Sequence, residues 1–313
     1  MDSAKTSLSF AFILMVLLFF NQWGVENQLI SEIRLSRFLL LMAVGAGLSV
    51  AGVALQSLFF NPLCDPYILG VSSAGALGAV LGAHLGWSVL GVNLPAFLGA
   101  LLGVGILFLS HRFGRMGQLS LLLVGVMQGF VFSSFLALWM SLADPMGVYG
   151  AVSWLLGNVQ YVSSFEGLVV LLVILFLILL IYLKRNDLDL LLLGEDQARI
   201  MGCEIHRLRM YLVIVSSFIV AICVSYAGMI GFIGLVIPHL VRYQTSSLHT
   251  RLIPLSAFVG GVALNSADTI GRLTFPHSEI PLGAICAIMG APILIWILIR
   301  FRWDRDEIHV RTS

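Results

Sequence analysis

The sequence predicts an all-α integral membrane protein with about ten transmembrane helices. Its composition supports this, because 59% of the 313 residues are hydrophobic and only 11% are charged, whereas a soluble domain carries about 25% charged residues. The mean hydropathy is +1.01, and the apolar residues are gathered in long runs. Lysine and arginine are also distributed unevenly among the segments between those runs, as in multi-pass proteins.

Ten apolar stretches are long enough, or nearly so, to cross about 30 Å of hydrocarbon. The first run could be a signal peptide, but no small-residue cleavage site follows it, so we interpret it as an uncleaved span. The third and eighth contain glycine, polar residues or proline, and we expect them to be short or broken. Together the stretches form one polytopic domain over residues 1–313, with spans near 7–23, 35–59, 68–86, 92–111, 119–141, 165–183, 208–226, 228–243, 253–271 and 281–301.

Charge predicts the orientation of these spans. With ten spans and cytoplasmic termini, only Arg34, Arg37 and Arg272 of the 17 lysines and arginines lie on the outer side. Isolated arginines at span ends usually reach towards lipid headgroups. Three on the side that should lack positive charge would also suit a partner with exposed carboxylates, because arginine forms bidentate pairs.

The order of the spans predicts an inverted repeat around the sixth span, since spans two to five and seven to ten run in opposite directions. Each half contains a segment with helix breakers, which we place near the cytoplasmic end. Paired breaks indicate a translocation pathway between repeats, although glycine and proline also allow membrane helices to pack closely. The candidate pathway or gate residues in these segments are Asn61, Pro62, Asp65, Pro66, Gly231, Gly234, Pro238 and His239.

In the first of these segments, two prolines interrupt the helix. The residue before proline avoids the α region, so Asn61-Pro62 and Asp65-Pro66 force the chain out of helix. The side chains of Asn61 and Asp65 can satisfy the freed backbone groups. The segment is either a structured turn or a hinge at the inner mouth. For His239 we favour a capping or packing role over proton transfer.

A polar island at 184–209 separates the sixth and seventh spans. Residues 194–202 have the marks of a short helix, with acids in the first turn, a Glu195–Arg199 pair at i,i+4 and a terminal glycine. We expect Ala198, Met201 and Ile205 to share a small apolar face. Such a helix could dock another protein, or the island could be an ordinary solvated loop.

The remaining patterns argue against an enzyme. The sequence has no GxSxG, HExxH, Walker A or GxGxxG motif, so any ATP that drives this protein must bind another chain. The four cysteines show no CxxC pairing and read as packing residues. A net charge of +1 gives no argument for nucleic acid. A secondary transporter driven by protons or sodium would need carboxylates at mid-membrane, and our spans place none there.

Four segments resemble the FecCD-type permeases, the membrane subunits of ABC importers for ferric siderophores, haem and cobalamin. IRLSR at 33–37 is similar to the family's RLPR, and Gln56 with NPLCDPYILGVSS at 61–73 is similar to Q…NPLADPxxLGVSxG. LGEDQARIMG at 193–202 resembles the LGxxxAxxLG loop. GFIGLVIPHLVR at 231–242 resembles GFxGLxxPHxxR, followed by Asp268, Arg272, EIPLG at 279–283 and GAP at 290–292. Ser36, Cys64 and Met229 depart from the pattern without affecting the class.

The resemblance implies a homodimer in the inner membrane of a bacterium, with the pathway on the dimer axis. Two ABC ATPase subunits, which hold ATP and Mg²⁺, would bind the polar island, while this chain itself would bind no cofactor and no metal. An extracytoplasmic binding protein would dock on Arg34, Arg37 and Arg272. Gln118, at the start of span five, is a candidate for the inner gate. The ATPase-coupling residues would be Gly194, Glu195, Ala198, Arg199, Met201 and Gly202.

Overall fold

A computed structural model describes residues 28–85, 92–114, 117–159, 161–274 and 281–310 of the chain. The predicted first span at 7–23 and Glu279 lie outside these ranges. The secondary structure within them is helical, which confirms the all-α prediction. The helices are α1 (Gln28–Leu58), a 3-10 helix (Pro66–Leu69), α2 (Val71–His84), α3 (Asn93–Gly114), α4 (Gln118–Leu142), α5 (Pro145–Leu155), α6 (Ser164–Leu183), α7 (Arg185–Leu191), α8 (Glu195–Ile200), α9 (Ile205–Ala227), α10 (Ile233–Gln244), α11 (His249–Thr274) and α12 (Leu282–Val310).

Five of these helices are long and apolar enough to cross a membrane, namely α1, α3, α4, α6 and α9. The third and eighth predicted spans are indeed short: α2 has 14 residues and α10 has 12. Helix α11 covers the ninth predicted span with 26 residues. Two helices were not predicted, α5 outside the spans and α7 inside the polar island, because both are short and rich in polar or turn-forming residues.

Helix α1 forms the centre of the molecule. In its most apolar stretch 89% of the residues are buried, and it packs against α6, α9, α10 and α11. Glycines allow the closest of these contacts. A Cβ atom added to Gly45 would overlap the carbonyl of Gly260, and one added to Gly52 would overlap the carbonyl of Gly234. Small residues therefore let the backbones of α10 and α11 approach α1 directly.

Helix directions agree with the inverted repeat. Helix α6 runs parallel to α1, since Gly167 lies beside Ser36 and Ile174 beside Gly47. Helix α9 runs antiparallel to α6, since Tyr211 donates to the carbonyl of Leu180. The first helices of the two halves, α1 and α9, are therefore antiparallel. Each of these two helices packs against helices of the opposite half: α1 packs against α10 and α11, and α9 packs against α2 and α3.

The outer faces of α4 and α6 are apolar and exposed, with only 28% of the most apolar stretch of each helix buried. The exposed face of α6 is aliphatic and aromatic, as at Leu172 and Phe176. The exposed face of α4 differs, because Ser134 and Ser141 lie among its apolar residues. In a membrane, a purely apolar face suits lipid, and a mixed face suits a partner or a water-filled pathway.

Candidate functional site

The end of the molecule that the sequence predicts to face outward, here called the outer end, with the opposite end called inner, carries a cluster of charges around Asp268. Asp268 is a residue of α11 that is 4% exposed. Arg37 donates from Nη2 to Oδ1 of Asp268 at 2.8 Å and from Nε at 3.1 Å. Arg272, one turn further along α11, reaches Oδ2 of the same carboxylate at 2.9 Å. One buried carboxylate thus fixes two guanidinium groups.

Arg34 completes this cluster. The pKa of Arg272 is lowered by burial, raised by Asp268, and lowered again by the charges of Arg37 and Arg34. The three arginines predicted from the sequence therefore lie close together, and two of them, Arg37 and Arg272, bind the same carboxylate. Asp268 was not predicted to belong to this group, although its position four residues before Arg272 was a signal.

The break after α1 is a structured turn. The amide of Leu63 donates to Oδ1 of Asn61 at 2.9 Å, and the amide of Tyr67 donates to Oδ1 of Asp65 at 2.8 Å. The second bond caps the 3-10 helix, whose first residue is Pro66. The prediction that both side chains satisfy freed backbone groups is confirmed. Pro62 lies on the surface of the turn, where it is exposed.

The second break does not lie where we expected. It begins at Gly228, beyond the outer end of α9, against the backbone of Trp154 and Gly157. The chain then descends without helix through Gly231 to Phe232, which has φ of 69°, before α10 begins. The two breaks therefore begin at opposite ends of the helical body, whereas we expected both at the same end. The sequence pattern did not show this, because α10 is a helix of only 12 residues that starts level with Gly52 of α1.

The two breaks meet inside the molecule. Pro66 packs where a Cβ of Gly234 would lie, and the hydroxyl of Tyr67 accepts the amide hydrogen of Ile230 at 2.9 Å. Within α10, Pro238 is buried and His239 Nδ1 lies 3.0 Å from the carbonyl oxygen of Leu235. The histidine therefore contacts its own helix, in keeping with the packing or capping role.

Gln56 holds α10 from the side of α1. Its amide donates to the carbonyls of Gly234 at 3.2 Å and Leu235 at 3.3 Å, while its oxygen accepts from Arg242 at 2.5 Å. Gln56 is 3% exposed. One side chain of α1 thus joins the first turn of α10 to its last turn.

At the inner end, two of the gate candidates and two of the coupling candidates share one cavity of about 580 Å³. The cavity brings Gln118 at the start of α4 and Asn61 of the first break to the same space as Glu195 and Arg199 of α8. No sequence pattern indicated this juxtaposition, because it depends on the packing of three distant segments. The lining residues are Phe59, Asn61, Gly117, Gln118, Leu119, Leu122, Glu195, Arg199 and Arg209.

Helix α8 is a short helix as predicted, flanked by Gly194 with φ of 100° and Gly202 with φ of 89°. Its predicted internal ion pair is wrong. Glu195 binds Arg209 of α9, at 2.6 Å, rather than Arg199. Arg209 is 6% exposed, so this pair anchors α8 to the helical body.

The apolar face of the island is also different from the prediction. Ala198 and Ile205 are buried, but Met201 is 60% exposed. The difference arises because the chain turns at Gly202, which has φ of 89°, so that Ile205 does not continue the helical face of Ala198 and Met201. The exposed apolar side chains of the island, here called the island patch, are Leu192, Leu193, Ile200 and Met201.

A second cavity, of about 670 Å³, lies at the outer end between α2, α4 and α5. His84 and Trp139 meet edge to face in its wall, with ring centroids 5.9 Å apart. Tyr149 and Trp154 of α5 add aromatic surface, and Asp144 supplies a carboxylate. The volume falls within the range of small-molecule sites. This cavity was not predicted, because α5, which forms one of its walls, was not among the predicted helices.

In the parts of the chain that the structure describes, no group of three or more His, Cys, Asp or Glu residues is placed to hold a metal ion. The four cysteines are free and buried, as expected of packing residues.

Comparison with known proteins shows what the chain is similar to. The model of the FecCD transport family matches residues 3–300. The vitamin B12 import system permease protein BtuC of Vibrio cholerae is 38% identical over 288 residues, covering 90% of this chain and 86% of the relative. The Fe(3+) dicitrate transport system permease protein FecD of Escherichia coli is 37% identical over 286 residues, covering 90% and 88%.

Solved structures agree. An ABC transporter assigned to the metal-chelate type, in an inward-facing conformation, matches with a TM-score of 0.85 and 30% identity, covering 95% of this chain and 99% of that one. PsaBC from Streptococcus pneumoniae, solved in complex with Fab, matches with a TM-score of 0.53 and 17% identity. The second likeness concerns the fold alone.

Proposed function

The chain belongs to the FecCD transport family, and we propose that it is the membrane permease of an ABC importer. The observation that carries this proposal is its likeness, over nearly the whole chain, to permeases of vitamin B12 and Fe(3+) dicitrate import. We infer that the cargo is cobalamin or an iron chelate, such as a siderophore or haem. The importer would lie in the cytoplasmic membrane of a bacterium, with both termini inside.

The island patch supports the assignment of the ATPase partner. Leu192, Leu193, Ile200 and Met201 expose apolar surface on a segment that otherwise carries many charges. Apolar side chains rimmed by polar residues mark protein interaction sites. We propose that two copies of the permease each bind one ABC ATPase subunit here. ATP and Mg²⁺ would stay on those subunits, and this chain would perform no catalysis.

The cluster around Asp268 supports the docking of a binding protein at the outer end. Arg37 and Arg272 share one carboxylate and Arg34 lies near Arg272, so these described residues keep an excess of positive charge. Because Asp268 fixes Arg37 and Arg272 in place, carboxylates on a partner would meet ordered guanidinium groups. Such docking should weaken as salt concentration rises.

The junction of the two breaks supports a gate between the outer and inner ends. Closure of the ATPases would move α8, which shares the inner cavity with Gln118 and Asn61. Nucleotide would act through its different affinities for the two conformations of the complex. A secondary transporter finds no such support, because the acidic residues that the structure describes lie near helix ends or in the island.

The test is cargo uptake into proteoliposomes that contain the permease and its ATPase, with cobalamin and ferric chelates supplied in turn on their binding proteins. We expect uptake to require ATP and to continue when ion gradients are collapsed. Met201→Glu should lower ATPase binding at least tenfold, because it places a charge within the apolar contact. Ser247→Glu adds the same charge at an exposed inner position outside the patch and should bind normally. Uptake driven by an ion gradient without ATP would refute the proposal.

A further inference from the structure

A buried histidine joins the polar island to the helical body. His249 is the first residue of α11 and is fully buried. Its Nδ1 lies 2.7 Å from Oδ1 of Asp189 on α7, and its Nε2 lies 2.7 Å from Oγ of Ser57 in the last turn of α1. The backbone amide of His249 also donates to Asp189 Oδ1, at 2.9 Å. Three helices therefore meet at one imidazole ring.

The proton positions follow from these partners. The carboxylate of Asp189 can only accept, so Nδ1 carries the hydrogen, and Nε2 then accepts from the hydroxyl of Ser57. His249 lies outside the predicted span 253–271. Burial lowers its pKa, Asp189 opposes this, and the charge of Arg242 lowers it further. The neutral ring is therefore the stable form at neutral pH, with both of its nitrogens hydrogen-bonded.

The three side chains are linked in the order carboxylate, imidazole and hydroxyl, as in a hydrolytic triad, but the hydroxyl is not accessible to a substrate. Ser57 is 6% exposed, and its hydroxyl hydrogen is directed to the ring rather than to a cavity. A substrate carbonyl could not approach this oxygen without moving α1 from α11. These contacts therefore have a structural role, which is to connect α7 with α11 and α1.

The connection runs from the proposed ATPase surface to the junction of the two breaks. Asp189 belongs to the helix that precedes the island patch, and Ser57 directly follows Gln56, which holds the first turn of α10. Hydrogen bonds of 2.7 Å on both sides of a rigid ring leave little freedom for α7 to move independently of α1 and α11. A displacement of the island would thus be passed on to the two inner helix ends.

We propose that Asp189, His249 and Ser57 form a relay that couples movement of the polar island to α1 and α11, so that ATP hydrolysis on the partner drives passage of cargo. The proposal rests on the function proposed above and names positioning residues for it. It differs from the anchor between Glu195 and Arg209, which ties the island to α9. Two separate polar links would make the island move with both halves of the fold.

The test measures cargo transported per ATP hydrolysed in proteoliposomes for Ser57→Ala, His249→Gln and the double variant. Ser57→Ala and His249→Gln should each lower this ratio roughly fivefold, within the range for residues of a coupling network. If the three groups act as a unit, the double variant should be no worse than His249→Gln. Ser256→Ala is the matched control, because Ser256 is also fully buried, lies on α11 and has no hydrogen-bond partner among the residues that the structure describes.

Melting temperature and assembly with the ATPase are measured in parallel, since a loss of folding would lower cargo transport and ATP hydrolysis together. If His249→Gln does not fold, Ser57→Ala and Asp189→Asn carry the same test with smaller changes. An unchanged ratio in folded variants, or fully additive losses, would overturn the relay while leaving the importer intact. Absence of ATP-dependent uptake in the unmodified protein would instead overturn the proposed function.

Discussion

Two guanidinium groups bind the carboxylate of Asp268, and this contact joins α1 to α11 at the outer end. A buried carboxylate is costly in a membrane protein unless it is paired and hydrogen-bonded. Here both oxygens have partners on two different helices, α1 and α11. The same pairing holds the arginines that we assign to docking. Stability and the proposed docking would therefore both depend on Asp268.

Asp268→Asn should destabilise the folded protein, because it keeps the shape of the side chain but leaves two arginines without a counter-charge. Both arginines are partly exposed, 33% and 40%, so water screens part of the loss and we expect about 1–2 kcal/mol. Thermal unfolding in nanodiscs measures the effect. Asp144→Asn changes an exposed carboxylate instead and should stay within about 0.5 kcal/mol. Equal melting temperatures for the two variants would contradict the pairing.

At the scale of helices, apolar runs predicted the long elements well and the interrupted ones incompletely. Helices α3, α4 and α6 begin and end within about three residues of the predicted spans, because unbroken hydrophobicity specifies a helix in lipid. Helix α10 begins five residues later than its span, at Ile233. Its start depends on contacts with Pro66 and Gln56, which lie in the other half of the chain.

The candidate site was likewise predicted in part, through features with a local sequence signature. The sequence identified the outer arginines, the helix breakers and α8, because each has a local charge or turn signature. It could not identify Arg209 as the partner of Glu195, or the relay at His249, because these contacts join segments that are distant along the chain. Exposure of Ile200 and Met201 also depends on where α8 ends, and spacing alone did not show this.

Gly52→Ala should disrupt the packing of α1 against α10, because its Cβ would overlap the carbonyl oxygen of Gly234. That atom belongs to the backbone and cannot rotate away, so we expect a loss of about 1–3 kcal/mol. Gly105→Ala is the matched control. A Cβ there meets nothing within 4 Å, and alanine favours helix over glycine. Thermal unfolding should therefore separate the two variants, and similar losses would show that Gly52 does not mark a close contact.

For the whole molecule, the two apolar faces differ in what they should contact. The face of α6 is suited to lipid, whereas the serines of α4 give its face some affinity for water. Ser133 on α4 also donates to Ser73 of α2 at 3.2 Å. This contact extends the row of serines on α4 towards the first break. We therefore assign the α4 face to the pathway on the axis of the proposed dimer.

Cysteine labelling tests this assignment, and the native cysteines give little background because all four are buried. Ser134→Cys on α4 should react with a water-soluble thiol reagent in the assembled importer, because thiolates form only where water reaches them. Leu172→Cys on α6 is the control, since its side chain is also exposed but should lie in lipid. Rapid labelling of Leu172→Cys together with slow labelling of Ser134→Cys would reverse the assignment.

The junction of the two breaks also has a consequence for biogenesis. Tyr67 and Ile230 are 163 residues apart, and a ribosome adding about 5–20 residues per second needs about 8–33 s to make that stretch. Throughout this time the N-terminal half stands in the bilayer with its proline-rich turn lacking the segment that later covers it. We expect the nascent chain to stay with the insertion machinery until α10 has emerged, so that release from the insertase follows synthesis of the second half.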